Sequence, residues 1–267
     1  SDLEGITIQG AGPGLDPSTA TIISGEAGFL ETGVRFEASD VTVTGITFID
    51  FWDEGFQTAD GLLNIEISHC WVIGCDSGFD TDGTAGFYDP GDPENFDEMV
   101  RVEFCIFARG GDDGTDIEDD NAFLFNQCDF YDFDSDLMDN EDNSFVLVRN
   151  CIIHAGSRSD DFDAGSGFIE AANTVFWDPK GTEVDGLGGI QFAGNATEFD
   201  STAEDPLYVN VGPNVYYLEL DFHLQDGSPA LTAGKDENGD NVYHDDNVIS
   251  LALALWGSRT MIYDPSY

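Results

Sequence analysis

Five dipeptides along the chain join an apolar residue to an acidic one, in a pattern that could bind cations. They are Phe79-Asp80, Ile117-Glu118, Met138-Asp139, Phe162-Asp163 and Val184-Asp185. Because successive side chains of a β-strand point to opposite faces, an inward apolar residue turns its acidic neighbour outward. Further acids accompany these pairs, among them Asp82, Asp116 and Asp161. Calcium takes about six to eight hard oxygen ligands, so the acids of the pairs and these companions are the predicted metal ligands along one face.

A second candidate for cation binding lies near the C-terminus, where residues 236–247 read DENGDNVYHDDN. Oxygen-bearing side chains stand at the first, third and fifth positions, as at the start of a calcium-binding loop: Asp236, Asn238 and Asp240. The pattern departs at the sixth position, which is Asn241 instead of Gly, and at the twelfth, which is Asn247 instead of Glu. This segment is therefore either a weak calcium site or a solvated acidic loop.

A sequence motif that repeats about every 23 residues must position these acids. It reads Val41-x-Val43-x-x-Ile46-x-Phe48 in one coil and Phe123-x-Phe125-x-x-Cys128-x-Phe130 in another. Its small inward residue recurs after 24, 35, 23, 23 and 23 positions, at Ile46, Cys70, Cys105, Cys128, Cys151 and Thr174. A fixed period of this length predicts a solenoid whose repeats bury their apolar faces by stacking. Alternation at period two predicts strands rather than helices, so the motif predicts a β-helix with an insertion in its longest coil.

Corner and core residues of each coil can also be assigned from the repeat. Asn and Gly tolerate the left-handed backbone that a tight corner needs, and the corner positions are Gly45, His69, Phe104, Gln127, Asn150 and Asn173. Four cysteines share one inward register and should stack as small core residues rather than form disulfides: Cys70, Cys105, Cys128 and Cys151. Cys75 stands outside that register beside acidic residues, so we expect it to be the most reactive thiol.

Several segments resemble the right-handed parallel β-helices of the pectin-lyase-like superfamily. The resembling segments are GITIQGAGPG at 5–14, TIISG at 21–25, VTVTGITF at 41–48, DPLY at 205–208, DFHL at 221–224 and GSPA at 227–230. The resemblance covers nearly the whole chain and implies an all-β, right-handed parallel β-helix, a single-stranded β-solenoid with coils of about 23 residues. One domain would span 1–267, with first coils at 1–48, regular acidic coils at 49–200 containing an insertion at 84–98, and a C-terminal coil and cap at 201–267.

The resemblance implies an enzymatic alternative. Pectate lyases of this superfamily hold calcium on outward Asp residues and use an Arg or Lys as the base. Here Asp80, Glu118, Asp139 and Asp163 would surround the metal, and Arg158 or Arg109 would abstract the proton. The alternative interpretation is that these arginines only offset their acidic neighbours. The same fold also serves hydrolases, adhesins and fibres, and the Gly-His-Gly of its glycoside hydrolases does not occur in this chain.

The charge of the chain excludes several classes of partner. Asp and Glu number 54 against 8 Lys and Arg, a formal net charge of −46 over 267 residues. Nucleic acid binding needs basic patches, and an anionic membrane surface also attracts basic segments, so neither is an expected partner. No apolar run approaches the roughly 18 residues of a membrane helix. Self-repulsion on this scale requires high salt or bound divalent cations, and composition does not separate the two.

These observations predict an extracellular or cell-surface solenoid that binds Ca²⁺ and has a structural role, as a fibre, matrix or adhesive module. Strand-like Leu3–Gln9 begins almost at residue 1, so the open end of the solenoid could associate with another copy. Val248–Trp256 is apolar enough to cap the other end. The alternative is a Ca²⁺-dependent polysaccharide lyase that acts on an acidic glycan at the outward strand face.

Overall fold

The computed structural model describes residues 5–25, 30–87, 98–155, 161–179, 186–187, 190–211, 215 and 219–233. Three sheets run the length of a solenoid of about seven turns. Sheet A contains eight parallel strands: β1 (Ile6–Gln9), β4 (Val41–Thr44), β7 (Ile65–Ser68), β10 (Val100–Glu103), β13 (Ala122–Asn126), β16 (Phe145–Arg149), β19 (Phe168–Ala172) and β23 (Ala196–Phe199). Sheet B contains seven: β2 (Thr21–Ser24), β5 (Ile46–Ile49), β8 (Trp71–Ile73), β11 (Ile106–Ala108), β14 (Asp129–Tyr131), β17 (Ile152–His154) and β20 (Val175–Trp177).

Sheet C completes each coil. Its parallel strands are β3 (Val34–Phe36), β6 (Glu54–Thr58), β9 (Ser77–Thr81), β12 (Thr115–Ile117), β15 (Met138–Asn140), β18 (Asp161–Asp163) and β22 (Ile190–Ala193), and β21 (Gly186–Leu187) joins β22 in antiparallel pairing. Outside the solenoid, β24 (Tyr208–Asn210) pairs with β25 (Asp221–Leu224), and α1 spans Ala230–Ala233. This all-β architecture confirms the predicted right-handed parallel β-helix with coils of about 23 residues.

Stacked aromatic side chains fill the interior between the three sheets. The rings of Phe107 and Phe130, on neighbouring strands of sheet B, stack with centroids 5.0 Å apart. Phe125 on sheet A meets the Phe130 ring edge-on at 5.4 Å. All three side chains are fully buried. Aromatic pairs in these geometries contribute about 0.5–1.5 kcal/mol beyond their buried area, so the core stabilises each coil mainly through its neighbours.

Two local features turn the chain at the corners. Between sheets A and B, every predicted corner residue has a positive φ, from 51° at His69 and Asn173 to 71° at Gly45. Where sheet C begins, glycines occupy one position in four coils: Gly33, Gly55, Gly78 and Gly114. A Cβ on Gly78 would lie 2.4 Å from the Gly114 carbonyl oxygen and 2.9 Å from the Phe107 ring. The absent side chain therefore lets the start of sheet C approach the aromatic core.

All five cysteines are buried and none forms a disulfide. The predicted inward stack is confirmed, since the Cys70 backbone N–H faces the Cys105 sulfur at 3.4 Å and Cys128 faces Cys151 in the same way. The expectation for Cys75 was wrong, because its side chain is 2 % exposed and belongs to the core. Burial raises the pKa of the Cys75 thiol to about 12, so acidic residues nearby in sequence do not make it accessible.

We expect the native protein to be inert toward a thiol reagent at all five positions. Reactivity requires an accessible thiolate, and burial also raises the pKa of Cys105, Cys128 and Cys151. Native labelling with a chromogenic disulfide should give no fast phase, whereas denatured protein should react stoichiometrically. Rapid native labelling of any one cysteine, located by peptide mapping, would contradict the core assignment of that coil.

Candidate functional site

A column of four aspartates climbs the outward face of sheet C. Register pairs Asp80 with Asp116, Asp116 with Asp139, and Asp139 with Asp163, one carboxylate in each coil. Neighbouring parallel strands lie about 4.8 Å apart, so each carboxylate has another one directly above or below it. The same register position is occupied by Gln57 and Arg35 in the two preceding strands of sheet C and by Ala193 in the following parallel strand. We call Asp80, Asp116, Asp139 and Asp163 the acid column.

The register corrects the dipeptide alignment in two coils. Ala193, and not the predicted Asp185, is paired with Asp163 in the next parallel strand. The sequence pattern placed Ile117-Glu118 level with Phe79-Asp80, but Thr115 is level with Phe79 and Asp116 with Asp80. Glu118 lies two residues farther along, after β12 has ended. A shift of two residues keeps a side chain on the same face, so the apolar–acidic pattern fits both alignments and only pairing between coils distinguishes them.

The other predicted site residues are placed as follows. Asp82 follows β9 and forms an ion pair with Arg35, with 2.7 Å between the Asp82 carboxylate oxygen and the Arg35 guanidinium nitrogen. Asp161 begins β18 two residues before Asp163, and its side chain lies outside the described residues. Arg158, Asp185, Asp236, Asn238 and Asp240 also lie outside the described residues, as do most of the 84–98 insertion and the proposed cap at 248–256.

Burial and repulsion make three carboxyl groups of the acid column resist ionisation. Partial burial and, to a smaller extent, the nearby Asp80, Glu118, Asp113 and Asp139 carboxylates together raise the pKa of Asp116 to about 7. Burial likewise raises the pKa of Asp139 to about 6, with added repulsion from Asp113, Glu141 and Asp163. The pKa of Asp80 is also raised, again mainly by burial. Protons or bound cations are therefore needed to relieve this charge near neutral pH.

A network at the upper end of the column was not foreseen from the sequence. Arg35 donates to the Gln57 amide oxygen at 2.6 Å, and the Gln57 amide nitrogen donates to Asp80 at 3.3 Å. Glu54, 4 % exposed, accepts a hydrogen bond from the Thr32 hydroxyl at 2.8 Å. Burial raises the pKa of Glu54 to about 7 despite that hydrogen bond. The signal was present in Val34-Arg35, which repeats the alternation of the acidic dipeptides with a basic residue in the outward position.

The structure does not bring Arg109 into the acid column. Arg109 follows β11 in sheet B, and its guanidinium lies 3.7 Å from the Asp132 carboxylate and donates to the Val215 carbonyl. These contacts join sheet B to the segment that covers its outer face. The basic residue that the described coils place in line with the column is Arg35, which lies within ion-pair distance of Asp82 and Glu37.

The described residues contain no group of three or more His, Cys, Asp or Glu side chains arranged to hold one metal ion. The column instead offers successive pairs of carboxylates, each shared with the next coil. Such pairs can bridge a hard cation whose remaining ligands are water, because calcium accepts water and irregular geometry. The arrangement therefore fits distributed cation binding along a face better than one preformed cage.

Comparisons with known proteins identify no relative. No family model, no curated protein and no solved structure matches this chain significantly. Among the described residues, no helix has the length and apolar character to cross a membrane.

Proposed function

We propose that this chain is an extracellular or cell-surface solenoid of the pectin-lyase-like type that binds Ca²⁺ along its acid column and has a structural role. The observation that carries the proposal is the unbroken run of Asp80, Asp116, Asp139 and Asp163 in register. Carboxylates this close together repel one another, and burial with this repulsion raises the pKa values of Asp80, Asp116 and Asp139. A divalent cation between two of them converts that repulsion into attraction.

Calcium would act in this arrangement as a clamp between coils. Each pair of carboxylates belongs to two neighbouring coils, so a bridging ion would tie one coil to the next. Solenoid stability depends on such nearest-neighbour terms. Ligands that bind only the native state stabilise it in proportion to the logarithm of their concentration. The affinity of each bridge is expected to be low, since water must complete the coordination shell, and the effect would grow with the number of coils bridged.

The ends of the sheets support a role in assembly. Ile6 and Ile8 on β1 are in register with the buried Val41 and Val43, yet they are 51 % and 42 % exposed. Ile23 on β2 is also exposed. Apolar core positions on unpaired outer strands are stabilised when a further coil pairs with them. We propose that another copy supplies that coil, which would give end-to-end association of the heterologous kind.

A calcium-dependent lyase is the lower-ranked proposal. It needs a basic group beside the metal to abstract a proton, and the described arginines are held by carboxylates: Arg109 by Asp132 and Arg35 by Asp82. The discriminating assay is release of unsaturated uronate products from pectate, alginate and glycosaminoglycans in the presence of Ca²⁺. Product formation that is lost in Arg158→Ala or Arg109→Ala, and kept in Arg101→Ala, would reverse the ranking.

We expect Ca²⁺ to raise the melting temperature well above its value in EDTA at the same ionic strength. At a concentration of about 100 times the dissociation constant, one bound ligand adds about 2.7 kcal/mol, which corresponds to roughly 5–10 °C in a domain of this size. The measurement is thermal unfolding in EDTA, in CaCl₂ and in NaCl matched for ionic strength. Equal melting temperatures in calcium and sodium would remove specific calcium binding and leave only charge screening.

A further inference from the structure

The described part of the C-terminal segment covers the outer face of sheet B, and its strands β24 and β25 pair with each other in antiparallel orientation. We call residues 205–211 and 219–233 the C-terminal strap. Its Phe222 ring contacts Trp71 at 6.4 Å and Tyr131 at 5.7 Å, measured between ring centroids. Tyr208, Phe222 and neighbouring apolar residues of the strap form one buried cluster with the outward residues of sheet B. The strap therefore seals an apolar outer face that β-helix coils alone would leave exposed.

An aspartate lies inside this sealed layer. The outward column of sheet B runs Trp71, Ile106, Asp129, Ile152 and Val175. Asp129 is the acid in this stretch of the column, and it is 1 % exposed beneath the strap. The Tyr208 hydroxyl of β24 faces its carboxyl. Burial raises the pKa of Asp129 to about 8, and the Tyr208 hydroxyl offsets this only in part.

A histidine in the same layer titrates in the opposite sense. His154 lies beside Tyr131 on sheet B, 7 % exposed, and its ring is 6.0 Å from that of Tyr208. Burial lowers the pKa of His154 to about 4, although nearby carboxylates, chiefly Asp205, oppose the shift. The docked strap therefore favours a neutral carboxyl at Asp129 and a neutral imidazole at His154.

Other ionisable groups also face this layer, some on the solenoid and some on the strap. Burial raises the pKa of Tyr131 to about 12 and that of Tyr208 above its ordinary value, so both stay neutral. On the solenoid side Arg109 pairs with Asp132, and Asp178 lies near His154. On the strap Asp221 contacts His223, and Asp205 acts on His154.

We propose that the strap is a pH-dependent clamp, which holds sheet B while Asp129 is protonated and loosens as that carboxyl ionises. Releasing the strap would expose the apolar outer face of sheet B to water or to a partner. An isolated two-stranded hairpin such as β24–β25 is marginally stable, so a released strap would also lose its own hydrogen bonds.

The two titrations define the pH window of the clamp. Release of the strap that exposes Asp129 to water would return its pKa from about 8 to the ordinary 3.8, so docking should weaken about tenfold for each pH unit across that interval. The pKa of His154 falls from 6.5 to about 4, so docking strengthens about tenfold per unit as pH rises between those values. The effects cancel below about pH 6.5. From there to about pH 8 Asp129 acts alone, and docking should weaken roughly thirtyfold before levelling off.

Hydrogen exchange of the strap amides in the full chain tests the clamp. Wild type and Asp129→Asn are compared at each pH, with calcium and ionic strength fixed, so that the intrinsic pH dependence of exchange cancels in the ratio of their rates. We expect the rate in wild type divided by the rate in Asp129→Asn, for residues 221–231, to rise about tenfold per pH unit up to about pH 8 and then to stay constant. Asp139→Asn, which neutralises an acid-column residue, is the matched control and should leave the strap amides unchanged relative to wild type.

His154→Gln gives an independent arm of the same experiment. Relative to this variant, wild-type strap amides should become about tenfold better protected for each pH unit from about 4 to 6.5, with no further change above. A flat ratio to Asp129→Asn between pH 6 and 8 would overturn the clamp, as would exchange that follows pH equally in all variants. If Asp129→Asn does not fold, a flat ratio to His154→Gln below pH 6.5 would overturn it instead.

Discussion

Replacing Phe130 by alanine should destabilise the solenoid by about 3–5 kcal/mol, the range for removing a fully buried phenyl ring. Phe130 stacks on Phe107 at an interplanar angle of 9° and meets Phe125 edge-on. Its removal would leave a cavity between two coils whose walls are β-strands fixed by hydrogen bonds on both sides, so the site cannot collapse to fill the space. The energy lost includes both the transfer of the ring to water and the residual cavity.

The measurement is the shift in the guanidinium midpoint, followed by far-ultraviolet circular dichroism in calcium. Phe168→Ala is the matched control, since Phe168 also lies on a strand that is paired on both sides, in sheet A, but its side chain is 51 % exposed. We expect the control to change the midpoint little. Equal shifts for the two variants would mean that the ring stack does not form the core. A second transition in Phe130→Ala alone would indicate that the coils on either side unfold separately, as in other repeat proteins.

The repeat period and the alternation of apolar residues predicted most of this fold, because each coil must turn at the same corners and bury the same apolar positions. The corner at Asn150 and the inward sulfur at Cys151 follow from the same motif, and both were correctly located. Glu118 was aligned wrongly because a two-residue shift preserves the face, and only hydrogen bonding to the neighbouring coils sets the register. The 35-residue coil, which precedes this strand, removed the constant spacing that could have corrected it.

The repeat did not predict contacts between segments that are distant in the chain. Nothing in the sequence around Asp129 shows that Tyr208, 79 residues later in the chain, will cover it. Cys75 was misjudged for a related reason, since acidic sequence neighbours do not reveal burial. Arg35 at the head of the acid column was not predicted, because the repeated dipeptides that define the column are acidic and Val34-Arg35 carries a basic residue at the same position. In each case the side chain's surroundings come from another coil or from the strap.

The carboxylates of the acid column should destabilise the fold by repulsion when no divalent cation is bound, and stabilise it as ligands when calcium is bound. Without divalent cations, ionised Asp80, Asp116 and Asp139 each destabilise the fold, because their folded-state pKa values are raised above the ordinary value. The sign follows from linkage: the penalty is fully present above the folded pKa and fades as pH falls toward the ordinary value. With calcium, the same carboxylate is a ligand and its charge stabilises the fold. A neutralising substitution should therefore have opposite effects in the two conditions.

Asp116→Asn is the sharpest form of this test, because burial and repulsion raise the pKa of Asp116 to about 7 and register places it between Asp80 and Asp139. At pH 8 in EDTA and low salt we expect the variant to melt higher than wild type. A gain of about 1 kcal/mol, already reduced for the partial exposure of the side chain, corresponds to roughly 2–4 °C. In calcium the order should reverse, because the amide keeps one oxygen ligand but loses the charge that holds the cation.

Asp200→Asn makes the same change of charge at an exposed turn after β23, outside the acid column, and serves as the control. It should not alter the increment that calcium adds to the melting temperature. High NaCl should shrink the stabilisation of Asp116→Asn in EDTA, since salt screens repulsion between partly exposed charges. If Asp116→Asn is stabilising in EDTA but leaves the calcium increment unchanged, the column repels without binding, and the acidity of the chain serves salt tolerance rather than calcium. If the increment falls only in the column variant, the coils are joined by calcium at Asp116.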